Sequence, residues 1–281
     1  MTEIFDESWL ALREPIDQRS RPAVAITLIK QAWQKHGWRC VLDLGAGTGS
    51  NVRYLSPVLP APQQWTLIDH DEQLLESGEM PESAGRVIKV VQNLKSGISE
   101  QIEEADADVV TASALLDLVS ESWLTEIVDA CRVKRRGVYF SLTYDGSIQW
   151  HAAVNNLQLA DDPDDAAVRQ AVNAHQRGDK GFGPALGPIA NLKAEAAFRA
   201  AGYQVWLLQS RWRLGPADSQ VVNMLISGWE SAAVEHALSE SRRKDRDRFH
   251  LWAERRRETV AQGNFGLTVG HLDLVALPGS V

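Results

Sequence analysis

The sequence predicts an α/β domain built on a doubly wound, seven-stranded, mostly parallel sheet with helical insertions. Three observations carry that prediction. Between about residues 40 and 144, short β-rich apolar runs alternate with helical stretches, the rhythm of a parallel sheet covered on both faces. The first run ends in a glycine-rich turn, Gly45-Ala-Gly-Thr-Gly49, that opens a helix. The composition, 44% hydrophobic and 23% charged over 281 residues, is that of a globular chain long enough to bury a full core.

Taken in order, residues 3–37 read as helices broken at Pro15 and Pro22, an N-terminal helical cap over 1–37. The remainder, 38–281, reads as the α/β domain. Strands are expected at 40–44, 65–69, 87–91, 108–112 and 138–143, with helices at 50–55 (stopped near Pro57) and 123–131. Right-handed crossovers make the doubly wound order the economical one. After Tyr144 the rhythm breaks into an insertion at about 146–189. A helix over 166–176 runs into residues 178–188, where four glycines and two prolines in eleven residues mark an exposed or gating loop. A helix over 191–201, with Gly202 at its C′ position, leads to a strand at 204–208. A charged, helical insertion at about 215–265 precedes the last strand, 271–277.

Several function classes are disfavoured. Lys and Arg number 29 against 37 Asp and Glu, and the net charge of -8 repels a polyanion unless cations cluster. The longest apolar run near the start, residues 23–29, closes at Lys30 and is far too short for a membrane span. The first residues are acidic, unlike the start of a secretory signal. Cys40 and Cys131 stand alone in apolar contexts and read as buried free thiols of a reducing compartment, and a cytoplasmic location is expected. Two cysteines and seven scattered histidines give no metal motif, and no G-x-S-x-G elbow is present.

The glycine turn is the sharpest signal. Its spacing is G-x-G-x-G, not the G-x-G-x-x-G that seats a pyrophosphate on a helix N-terminus, which disfavours a nicotinamide oxidoreductase. Asp43, two residues before the first glycine, repels a pyrophosphate and attracts an ammonium or sulfonium cation.

With residues 41–49 reading Val-Leu-Asp-Leu-Gly-Ala-Gly-Thr-Gly, the chain resembles the class I S-adenosylmethionine-dependent methyltransferases. Residues 65–69 end in Asp69, the position whose acid holds the cofactor's ribose hydroxyls in that family, and residues 108–119 resemble its fourth-strand motif. The helix at 191–201 and the final strand pair resemble its edge hairpin, which implies a reversed last strand. The resemblance implies S-adenosyl-L-methionine as cofactor. It assigns cofactor binding to Asp43, Gly45, Ala46, Gly47, Thr48 and Gly49 in the turn, and to Asp69 and His70 after the second strand. Asn93 and Leu94 after the third strand and Ser113 at the end of the fourth complete the set. The family often has an acid for the adenine amine where this chain has Gln92-Asn93; the side-chain oxygen of Asn93 can accept the same bond.

Methyl transfer from a sulfonium rests mainly on desolvation and alignment, so a fixed catalytic signature is not required. Asp117 stands where many relatives carry a histidine and is the candidate for acid–base or orienting work. Tyr144 and Asp145 at the strand end, and Lys180 and Phe182 on the loop, are substrate candidates; His151 and His175 flank that loop. Arg13, Arg19 and Arg21 can reach a carboxylate or pair with Glu14 and Asp17. Trp150, Trp206 and Trp212 serve a pocket or the core. The Asn-Pro-Pro-Tyr motif for exocyclic amines and the Pro-Cys nucleophile for cytosine are both missing. The expectation is methyl transfer to a small-molecule acceptor. The alternatives are a cofactor-binding module without turnover, or an RNA methyltransferase using the basic stretch 242–257, whose eight cations stand against Asp245, Asp247, Glu254 and the adjoining Glu258.

Overall fold

The computed structural model describes residues 7–152, 162–240 and 243–279. Two helices open it, α1 (Glu7–Ser20), which continues through Pro15 where a break was expected, and α2 (Ala23–His36), which starts after Pro22. The parallel region follows as β1 (Cys40–Leu44), α3 (Ser50–Leu55), β2 (Gln64–Asp69), α4 (Glu72–Ser77), β3 (Arg86–Val91), α5 (Ile98–Glu104) and β4 (Val109–Ser113). Then come α6 (Glu121–Val133), β5 (Gly137–His151), α7 (Asp165–His175), α8 (Ala190–Ala200), β6 (Tyr203–Gln209) and β7 (Trp212–Leu214). The chain closes with α9 (Ser219–Ser239), α10 (Arg243–Ala261) and β8 (Gly266–Pro278).

The strand order is β3-β2-β1-β4-β5-β8-β6, with β7 beside β8. Strands β1 to β5 pair in parallel, and β8 runs antiparallel to β5, β6 and β7. The doubly wound sheet with its reversed last strand is therefore present. It differs from expectation in length and count. Strand β5 runs eight residues past Thr143, β8 starts at Gly266, and β7 is an eighth strand of three residues. The overrun is an antiparallel ribbon in which residues 148–151 pair with 266–269, beyond register shifts on either side of Tyr144.

Three apolar clusters hold these layers. Helix α2 places Ala25, Ile29, Ala32 and Trp33 on one face, at helical spacing, against Trp65, Leu67, Tyr139 and Val275 of the sheet. On the other face α6, capped by the Ser120 hydroxyl accepting from the Trp123 N–H, buries Trp123, Leu124, Ile127 and Cys131. The third cluster lies on the ribbon. There Val172 of α7, Val222 and Ile226 of α9, and Phe249 and Trp252 of α10 pack around Phe265 and Leu267. The two insertions, far apart in sequence, thus form one helical layer. Cys131 is buried, and burial pushes its thiol up to about 12; Cys40 is half-buried, not buried as its apolar context suggested. Among the described residues no helix is long and apolar enough to cross a membrane, and no His, Cys, Asp or Glu cluster could hold a metal ion.

Candidate active site

The carboxyl ends of β1, β2 and β4 meet above the glycine turn. Gly45, Gly47 and Gly49 have φ of 64°, 52° and 81°, the left-handed region that explains their spacing. A Cβ on Gly49 would stand 2.4 Å from Met80 Cε, so the turn is closely covered as well. Asp43, on β1, is 1% exposed. Its Oδ1 accepts from Asn51 Nδ2 and from Thr111 Oγ1, both at 2.8 Å, while the buried Oδ2 has no partner. Burial raises its carboxyl to about 6, against the lowering effect of those two hydrogen bonds and of Arg21. A buried carboxylate with one oxygen unpaired suits an arriving cation.

Asp69 ends β2. Its Oδ2 accepts from the Gly47 N–H at 2.8 Å, its Oδ1 accepts from the Asp71 N–H at 3.0 Å, and the exposed His70 ring lies 3.1 Å from Oδ1. Asp71 caps α4 by accepting from the N–H groups of Gln73 and Leu74. Beyond β3, Asn93 Oδ1 accepts from the Lys95 N–H at 2.9 Å, and the Leu94 carbonyl accepts from Trp123 Nε1 at 2.8 Å. At the end of β4, Ala114 has a φ of 52°, strain of the kind that collects at functional edges.

These pieces enclose a cavity of about 490 Å³. Its walls include Gly45, Gly47, Asp69, His70, Asn93, Leu94 and Ser113, all assigned to cofactor binding by the sequence, and Lys180 and Phe182 from the loop. A smaller annex of about 70 Å³ adds Asp43, Ala46 and Thr48. Gly49 lines neither space and serves the turn. Loop 178–188 therefore lies at the active edge. It is tied there by Leu186 N–H to the Val119 carbonyl at 2.8 Å and by the Phe182 ring set edge-on to Trp123.

Sequence reasoning did not assign Leu10, Asp71, Leu74, Lys95, Ala114, Leu115 and Leu118 to the site, yet they share its walls. Arg13, named only as a carboxylate candidate, is there too, held by Asp17 at 2.8 Å and lying 5.1 Å from the Trp212 ring centre. The Asp71 cap was the readable signal among them. Leu10 and Arg13 come from α1, whose docking no local pattern reveals.

Other candidates lie elsewhere. Asp117 is buried and does not line the cavity, although Leu115 and Leu118 do. Tyr144 sits mid-strand, its ring in the ribbon's apolar cluster and its hydroxyl donating to Asn173 Oδ1 at 2.8 Å. Asp145 Oδ1 accepts from the Ser147 N–H. His151 meets Thr268 at the ribbon's end, and His175 lies between Glu235 and Lys180. Arg19 pairs with Asp218 on the surface. Trp150 packs beside Phe265, Trp206 against the α2 side of the sheet and Trp212 in the ribbon's cluster. Beneath Arg13, burial and that guanidinium lower His271 to about 3, so its ring is neutral.

Arg242 lies outside the described residues. Among the described side chains of the basic stretch, Arg248, Arg255, Arg256 and Arg257 are paired within the chain. Arg255 binds Asp162 and Asp164 at 2.6 and 2.7 Å, Arg248 binds Asp164, Arg256 binds Asp165, and Arg257 binds Glu230 at 2.6 Å. These arginines fasten α10 to the start of α7 and to α9.

No protein-family model matches the chain, and no curated protein matches its sequence. Solved structures do match. A cyclopropane-fatty-acyl-phospholipid synthase-like protein from Lactobacillus casei ATCC 334 aligns with a TM-score of 0.52 at 13% identity, over 93% of this chain and 92% of that one. YcgJ from Bacillus subtilis aligns with a TM-score of 0.46 at 14% identity, over 92% and 100%. A geranyl diphosphate C-methyltransferase from Streptomyces coelicolor A3(2), solved with Mg2+, geranyl diphosphate and S-adenosyl-L-homocysteine, aligns with a TM-score of 0.41 at 10% identity, over 85% and 70%. At 13% identity the likeness to the Lactobacillus casei protein is one of fold.

Proposed function

We propose, for a chain with the Rossmann-like fold of the class I methyltransferases, that it transfers a methyl group from S-adenosyl-L-methionine to a small-molecule acceptor by in-line displacement. The observation that carries this reading is the unpartnered, buried oxygen of Asp43 beside a cavity whose walls include Gly47, Asp69 and Asn93. These residues fit the cofactor: Asp43 would hold its ammonium, Asp69 its ribose hydroxyls, and Asn93 and Leu94 its adenine. When bound, S-adenosyl-L-methionine supplies a methyl group already activated on a sulfonium. Leu115, Leu118 and Phe182 keep water from the reacting end, where alignment of the acceptor supplies several kcal/mol. Calorimetry with S-adenosyl-L-homocysteine tests the cofactor, and no heat at millimolar ligand would remove it. Labelled cofactor with fractionated cell extract tests the acceptor: label in RNA or protein would overturn the small-molecule class. The second reading, a binding module without turnover, draws on Asp117 lying outside the cavity wall; label in a small-molecule fraction sinks it.

The pH dependence follows from Asp43. In the free protein its carboxyl titrates near 6, and once protonated it no longer pairs with an ammonium. Affinity for S-adenosyl-L-homocysteine is therefore expected to fall as pH drops through about 6, by up to roughly tenfold per unit. Stability of the free protein moves the other way. A carboxyl raised in the folded state contributes stability that is present below its ordinary value and is lost as pH rises through about 6. Calorimetry and melting across about pH 4 to 7 check the two opposite slopes, both of which lie below about 6.

We further propose that loop 178–188 closes over the methyl site. Lys180→Ala is expected to lower turnover roughly tenfold or more while leaving S-adenosyl-L-homocysteine affinity within about twofold. Equal losses in both would place Lys180 in cofactor binding instead.

A further inference from the structure

Arg21 occupies the short joint between α1 and α2, and its side chain is only 6% exposed. It lines neither the cavity nor the annex. Its Nη1 donates to Asn51 Oδ1 at 2.5 Å and its Nη2 to Ser113 Oγ at 3.1 Å, while its guanidinium lies 4.5 Å from the centre of the Tyr54 ring. Asn51, 2% exposed, then donates from Nδ2 to Asp43 Oδ1 at 2.8 Å.

The direction of this relay is not interchangeable. A guanidinium only donates, and an ionised carboxylate only accepts. Asn51 stands between them with one accepting and one donating end. Turned over, its amide would set NH2 against the guanidinium and oxygen against the carboxylate, two repulsive contacts in a buried site. Arg21 thereby settles which end of Asn51 meets Asp43. Asn51 and Thr111 together occupy Asp43 Oδ1, and Oδ2, on a residue that lines the annex, is left without a partner. Ser113, the other partner of Arg21, lines both the annex and the main cavity.

Building on the reading of this cavity as an S-adenosylmethionine site, we infer that Arg21 is a positioning residue: through Asn51 it keeps Asp43 Oδ2 free of protein partners and so available for the ammonium of the cofactor's amino-acid moiety. The N-terminal joint, absent from the glycine-turn motif, is then part of what makes that motif bind an amino acid. The positive charge of Arg21 also favours the ionised form of Asp43 against burial.

The test compares two ligands that differ in the group at issue. S-adenosyl-L-homocysteine carries the amino-acid moiety; 5′-methylthioadenosine keeps adenine, ribose and sulfur without it. Arg21→Leu is expected to weaken the first by roughly 10- to 100-fold while leaving the second within about threefold. Arg21→Gln, which retains a donor for Asn51, is expected to recover most of the loss. Asn51→Leu, which keeps the side-chain volume but cannot donate to Asp43, provides the same selective loss without touching Arg21, should the Arg21 leucine variant fail to fold. Equal weakening of both ligands, or unchanged S-adenosyl-L-homocysteine affinity, would overturn the inference. Wild-type protein binding neither ligand would overturn the cofactor reading on which it rests.

Discussion

Asp69→Ala is expected to weaken S-adenosyl-L-homocysteine binding by roughly 100- to 10,000-fold. On the proposed reading the Asp69 carboxylate accepts hydrogen bonds from both ribose hydroxyls. Each bond to a charged acceptor contributes about 1.5–3 kcal/mol, and about 1.4 kcal/mol is a factor of ten. The same carboxylate accepts from the Gly47 and Asp71 N–H groups, so its removal also loosens the turn and the start of α4. Asp69→Asn separates the contributions, because an amide oxygen can still hold Gly47 while only one end accepts. Calorimetry decides the matter: an alanine variant within threefold of wild type would show that the ribose lies elsewhere.

The largest loss of stability is expected at Trp65, on β2. Its ring is fully buried in the cluster beneath α2, and its Nε1 donates to Gln63 Oε1 at 2.9 Å. Gln63 in turn donates to the carbonyls of Ser56 and Leu59, so the indole helps orient the amide that ties the end of α3 to β2. Trp65→Ala opens a large cavity and leaves a buried acceptor unpaired, costing about 3–5 kcal/mol. At roughly 2–4 °C per kcal/mol the melting temperature should fall by about 10 °C or more. A shift under about 3 °C would mean that the site collapses around the missing ring.

The parallel half of the sheet was legible because each strand there is an apolar run closed by a turn or a helix. The helix at 191–201 was readable to within a residue, since Gly202, with a φ of 86°, sits where a helix needs a left-handed residue. The ribbon was not legible. Asp145 and Gly146 interrupt β5, Gly266 and Gly270 dilute the start of β8, and β7 is too short to show alternation. Tyr144 illustrates the consequence. It was placed at the active edge because the strand was expected to end there; the strand continues to His151, and the ring turns into the helical layer.

The site divides along the same line. Asp43, the three glycines, Asp69 and Asn93 form local patterns whose spacing encodes their geometry. Leu10, Arg13 and Lys95 belong to no such pattern, because what brings them to the cavity is the docking of a helix or a loop. The basic stretch at 242–257 shows the converse. In sequence its visible counter-charges are the neighbouring Asp245, Asp247, Glu254 and Glu258, whereas the partners it takes at Asp162, Asp164 and Asp165 lie 84 to 93 positions earlier.

Because the cavity draws its walls from residues as distant as Leu10 and Phe182, no stretch of the unfolded chain can reproduce it. Occupancy and global unfolding are therefore thermodynamically linked. A ligand present at 100 times its dissociation constant adds about 2.7 kcal/mol to the folded state, whatever its chemistry. The heat resistance of the whole molecule thus becomes a sensor for whatever occupies that cavity. A library of candidate acceptors, added with S-adenosyl-L-homocysteine and ranked by melting temperature, would sort them before any reaction is assayed.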